Sequence, residues 1–138
     1  MDASVYFGTK VIMLRDIKKC VEKAGYTAIF QHKNEKQLFI EFSPDETTQR
    51  QSYWRLKMRS LSKIDAKDKE LLADKLETVM TAIVIEHPMA YMEVFGEIMH
   101  HVLNCYGGYV SFEYHLFDIA NIKTIQDYTP YSPSWRTE

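Results

Sequence analysis

A chain of 138 residues with 46% hydrophobic and 26% charged side chains has the size and composition of a single globular domain, which excludes general disorder. At this length folding removes about two-thirds of the unfolded chain's surface from water, so one hydrophobic core forms without staples. The net charge of −2 hides an asymmetry: through Lys63 twelve Lys/Arg stand against seven Asp/Glu, and from Asp65 onward five stand against twelve, giving halves of +5 and −7.

The elements follow in chain order. Ala3 to Phe7 reads as a short strand, broken at Gly8-Thr9, with Thr9 placed to cap the next helix. From Val11 to Ala24 the apolar residues Leu14, Ile17, Val21 and Ala24 recur at helical spacing, with Cys20 beside them, and Gly25 terminates the helix. Tyr26–Gln31 and Gln37–Phe42 are β-branched and aromatic and flank a polar stretch containing Asn34, the pattern of a hairpin. Ser52–Leu61 alternates Trp54, Leu56 and Met58 with Arg55, Lys57 and Arg59, which predicts a strand with one buried face and one wet, basic face.

A helix is then expected from Ser62 or Asp65 to about Glu86, with Leu72, Leu76, Val79 and Ile83 as its buried row. Pro88 opens another, running to Tyr106, with Tyr91, Phe95, Ile98, Val102 and Cys105 on one row and Gly107-Gly108 as the stop. Tyr109–Tyr114 reads as a strand, Asp118 as the cap of a short helix holding Ile119, Ile122 and Ile125, and the prolines after Tyr128 as an irregular tail. The expected order is β-α-β-β-β-α-α-β-α: an α+β fold of 4–5 largely antiparallel strands with 3–4 helices on one face, a domain over 1–128 and a tail over 129–138.

Met1 to Lys10 lacks the basic-then-apolar pattern of a signal peptide, and the apolar runs are short of a membrane span, so the cytoplasm is the expected location. Cys20 and Cys105 lie among apolar neighbours with no C-x-x-C pairing. The expectation is buried, reduced thiols in a reducing compartment rather than a disulfide.

Chemistry-bearing patterns are sparse. The approach to a phosphate loop is Gly8-Thr9-Lys10, without P-loop or dinucleotide spacing, and no G-x-S-x-G elbow occurs. No residue is nominated as catalytic, and no cofactor or metal ligand is assigned; the chain reads as a binder rather than an enzyme. Two surfaces stand out. The first is the polar stripe Glu93, Glu97, His100, His101 and Asn104 on the helix before Gly107. Glu97 and His100 have the Glu-x-x-His spacing of dimetal bundles, which needs matching ligands from other helices, and a solvated or partner-facing stripe is the ordinary alternative. The second is the basic strand face of Arg55, Lys57 and Arg59, with Arg50, Tyr53 and Lys63 nearby. Repeated cations suit phosphates, yet a sequence pI of about 6.2 argues against nucleic acid as the main partner. The Tyr128, Tyr131 and Trp135 tail is either packed back or a docking segment.

The long helix ending in Gly107-Gly108, the strand Tyr109-Val110-Ser111-Phe112-Glu113 and the short last helix resemble small bacterial immunity proteins encoded beside polymorphic or contact-dependent toxins. The resemblance spans the last third of the chain, and no binding residues carry over position by position. It implies a protein-binding inhibitor that blocks a cognate toxin's active site by charge and shape, with no catalysis of its own. The candidate contact residues are Arg55, Lys57, Arg59, Glu93, Glu97, His100 and His101. The alternatives are a small enzyme or ligand- or metal-binding domain using Glu97, His100 and His101, and a nucleic-acid binder using the basic strand 53–59.

Overall fold

A computed structural model of the chain describes residues 2–43, 52–88 and 92–128. Its frame is one antiparallel sheet of seven strands in the order β2-β3-β4-β5-β1-β6-β7. In chain order these are β1 (Asp2–Gly8), β2 (Ala28–Asn34), β3 (Gln37–Phe42), β4 (Ser52–Arg59), β5 (Thr81–His87), β6 (Tyr109–Phe112) and β7 (His115–Phe117). The helices are α1 (Leu14–Lys23), α2 (Ala66–Leu72) and α3 (Met92–Tyr106), with 3-10 segments at Leu61–Lys63, Ala73–Thr78 and Ile122–Tyr128. The α+β class and the antiparallel sheet follow the expectation from sequence; the strand count and the order of elements do not.

The main difference is β5. The span expected to continue as a helix to Glu86 instead breaks into the 3-10 segment Leu61–Lys63, the short α2, the 3-10 segment Ala73–Thr78 and a central strand. Asp65 caps α2 by accepting from the Asp68 N–H at 3.0 Å. Ala73, at φ 49°, ends the regular turns. Thr81, Ile83, Val84 and Ile85 are β-branched, stiff at χ1 and suited to a pleat. β5 is covered on both faces, so its sequence is continuously apolar and lacks the alternation that marks a half-buried strand. Leu72 and Val79 do bury together, whereas Ile83 faces the other side of the sheet.

The sheet is therefore covered on both faces, not on one. On the first face Tyr6, Leu38, Ile40, Phe42, Trp54, Leu56, Ile83, Ile85, Val110 and Phe112 pack against α1, α3 and the last 3-10 segment, making the large core. On the second face Val5, Phe7 and Ala82 pack with Ile64, Leu72 and Val79 in a smaller core. β1 and β5 are apolar on both sides and need both covers. β2, β3 and β4 alternate and, among the described residues, receive only the first.

Local chemistry fixes the joints. The Thr81 hydroxyl donates to the Lys10 carbonyl at 2.7 Å and accepts from the Ile12 N–H at 3.2 Å, clipping the β1–α1 connection onto β5. The helix then begins at Leu14, later than Thr9 capping implied, with the Asp16 carboxylate accepting from the Met13 N–H at 2.8 Å. Gly108 has φ 102°, and a Cβ there would lie 2.2 Å from the Phe7 carbonyl, so the α3–β6 link can approach β1 only as glycine. The strand expected over Tyr109–Tyr114 folds back at Glu113 and Tyr114, both at positive φ, in a two-residue hairpin turn that starts β7. In the last segment Ile122 and Ile125 are buried and Ile119 is exposed. Pro44, Asp45, Arg50, Tyr91 and the tail over 129–138 lie outside the described residues. No described helix is long and apolar enough to cross a membrane.

Candidate functional site

The register decides where the polar side chains go. Paired residues in neighbouring strands share a face, so Phe39↔Arg55, Gln37↔Lys57 and Glu41↔Tyr53 stand opposite Leu38, Ile40, Trp54 and Leu56. Among the described residues the small helical layer covers the second face only over β5, β1, β6 and β7, leaving the β2-β3-β4 half open. That open half carries Ile29, which is 60% exposed, and the Phe39 and Tyr53 rings stacked at 5.6 Å with 30° between planes. Arg55 and Lys57 are exposed beside them. Gln31, Lys33, Gln37, Phe39, Arg55 and Lys57 surround a shallow depression of about 400 Å³. The Arg55 guanidinium lies 4.0 Å from the Glu86 carboxylate, a solvent-exposed separation that holds it weakly.

Arg59 takes a different place. It lines a second, larger cleft of about 560 Å³ between the sheet and α2, with Asp65, Asp68, Ser111, Glu113 and Tyr114. Burial pushes the Asp68 carboxyl above its ordinary range, while a hydrogen bond from Ser111 and the nearby Arg59 charge act in the opposite direction. Lys67 reaches over the Tyr114 ring at 4.2 Å. Arg59 thus faces carboxylates of its own chain, and Arg55 and Lys57 form the outward-facing pair.

The α3 stripe lies on the far side of the molecule, because α3 packs on the first face of the sheet and the basic residues project from the second. Glu93 and Glu97 are exposed, and Glu97 accepts a 2.5 Å hydrogen bond from the Tyr26 hydroxyl. His100 and His101 are half-buried with ring centroids 6.3 Å apart. Among the described residues no three His, Cys, Asp or Glu side chains converge as metal ligands. The two candidate surfaces are separated by the sheet, so they cannot belong to one contact patch.

Two features escape sequence reading. His87 sits on the last residue of β5 and is fully buried, its ring stacked on Phe95 at 4.1 Å and flanked by Trp54 and Phe112. Its Nε2 lies 2.8 Å from the Ser4 hydroxyl and its Nδ1 3.3 Å from the Pro88 carbonyl. A neutral ring donating to Pro88 and accepting from Ser4 satisfies both atoms. Burial pulls its pKa down to about 4. With no solvent access this Ser–His pair is a packed core contact. The second is the Phe39–Tyr53 stack, whose signal was the period-2 placement of rings opposite the apolar rows of two strands not yet known to be neighbours.

Comparison of the chain with protein-family models, with curated proteins and with solved structures gives no match.

Proposed function

We propose that the protein is a binding module that neutralises a protein partner, an immunity-like inhibitor acting on a toxin, and that it makes contact through the open β2-β3-β4 half of the sheet. The observation that carries this reading is the stacked Phe39–Tyr53 pair beside exposed Arg55 and Lys57. Half-buried rings supply rigid contact area at small entropic cost, and flanking cations give direction and speed to association. The partner surface this geometry suits is acidic, with a protruding apolar group for the depression beside Phe39. The Glu93–His101 stripe plays no part in that contact.

The test compares two charge reversals for binding to a partner identified by quantitative affinity purification from the native host. R55E/K57E is expected to weaken binding at least 100-fold, while E93K/E97K leaves it within about threefold. The opposite ranking, or equal binding by both variants, overturns the assignment. A second reading is favoured by the same ring stack: aromatic pairs on an antiparallel sheet beside Arg and Lys also stack the bases of single-stranded nucleic acid. Fluorescence anisotropy against single-stranded DNA and RNA at low salt separates the two. Saturable binding lost in F39A supports the nucleic-acid reading, and a flat titration removes it.

A further inference from the structure

The two edges of the sheet differ in length. β7 is a three-residue edge, His115–Phe117, and β2 a seven-residue one, Ala28–Asn34. The Ser43 N–H donates to the Thr27 carbonyl at 2.9 Å, which turns the backbone of Thr27 toward β3. Successive residues of an antiparallel strand point their N–H and C=O groups to opposite sides. Ile29 and Gln31 therefore bond β3 as well, whereas Ala28, Phe30 and His32 aim their backbone groups away from the sheet. Among the described residues no strand pairs with them there. Natural edges are guarded by proline or by several charges. β2 has no proline, and its one charged residue, Lys33, lies at the irregularity between His32 and Asn34.

We propose that this edge docks a second copy of the chain, the two β2 strands pairing antiparallel about a two-fold axis through Phe30. Alternating donors and acceptors along an extended backbone recognise another strand, and the residue order makes β2 its own complement. With Phe30 on the axis, Ala28 meets His32 of the second copy and His32 meets its Ala28. All three outward-facing residues then fall in hydrogen-bonded pairs, about six backbone bonds in total. An axis at Ile29 or Gln31 leaves fewer such pairs within Ala28–His32. An axis at Lys33 sets cation against cation, whereas the axis at Phe30 places Lys33 opposite the uncharged Thr27.

The side chains agree with that register. Ile29, exposed on the second face, comes opposite Gln31 of the second copy and is covered by it. Phe30 is packed against the large core on the first face, with the Lys18 ammonium 5.2 Å from its ring centroid, and the Phe30 rings of the two copies meet across the axis. Pairing through one strand covers less area than a standard interface, so the dimer is weak and forms by mass action. The joined sheet sets the open β2-β3-β4 halves of both copies side by side. The pairing does not use Arg55 or Lys57, so it and the partner contact proposed above stand or fall separately.

The full chain is measured by sedimentation velocity with dithiothreitol present, from about 1 to about 500 µM. The mass is expected to rise from 16.2 kDa toward twice that value. Amide exchange followed by NMR reads the register. Ala28, Phe30 and His32 are expected to gain protection at least tenfold across those concentrations, while Ile29 and Gln31, already bonded to β3, change by less than about twofold. His32→Pro removes one of the outward N–H groups and, by symmetry, strikes both outer pairs; it is expected to keep the wild-type circular dichroism and to remain a single copy throughout. A wild-type chain that stays at one copy overturns the proposal. So does a dimer whose β2 amides exchange unchanged, or one that H32P forms equally well. The wild-type amide pattern decides the question even where H32P does not fold.

Discussion

Burying a neutral imidazole at His87 ties the stability of the fold to pH. In the unfolded chain this ring titrates near 6.5, and in the folded protein near 4. The unfolded state therefore binds more protons between those values, and linkage sets the sign: the contribution is complete above about 6.5, declines as pH falls, and is lost by about 4. The size follows from the shift, on the order of 3 kcal/mol across that window. Urea midpoints at pH 7 and pH 4.5 check it. Wild type is expected to lose most of this amount, while H87Q, less stable at pH 7 for want of the Phe95 stack, shows a much flatter profile. Equal slopes in the two proteins would place the acid sensitivity elsewhere.

At the scale of elements, β4 separates packing from contact within one strand. Trp54 is 2% exposed and meets Phe42 at 5.2 Å and Phe95 at 5.3 Å. Its neighbour Arg55 points the opposite way, to solvent. W54A is expected to cost about 3–5 kcal/mol and K57A less than about 0.5 kcal/mol in chemical denaturation. The same alternation is why this strand was legible from sequence, as were β1, β3, the apolar row of α1 and, through Phe95, Ile98 and Val102, that of α3, whose Cys105 is exposed and not buried as expected. Its basic residues were placed on the right face too. β5 was misread because a strand buried on both faces has no period of two to see, and its apolar residues fit helical spacing as well. The second helical cover went unseen for the same reason: it exists to bury the other side of β1 and β5. Arg59's separation from Arg55 and Lys57 was illegible because it depends on where α2 lies.

For the whole molecule, the sheet serves as a partition between two differently charged surroundings. Arg55 and Lys57 face out from one side, and Glu93 and Glu97 from the other. The proposed association through the basic side would be steered by long-range attraction, which mobile ions screen beyond about 8 Å at physiological ionic strength. Raising salt from 50 to 500 mM is expected to slow association with the partner at least tenfold while changing dissociation less than about threefold, measured by stopped flow or surface binding kinetics. An association rate that ignores salt would mean that the basic face does not guide the encounter.

The position of β1 has a bearing on how the chain is made. It stands between β5 and β6 and pairs with Thr81–His87 and with Tyr109–Ser111. At ribosomal speeds of roughly 5–20 residues per second, about ten seconds separate its emergence from that of its second neighbour. The β2-β3-β4 meander is built from local hairpin pairings and can form during that interval. Val5, Tyr6 and Phe7, apolar toward both faces, meanwhile have no sheet to enter. The nascent protein thus passes through a stage with a strand apolar toward both faces uncovered, and the sheet closes only when the last third of the chain delivers β6.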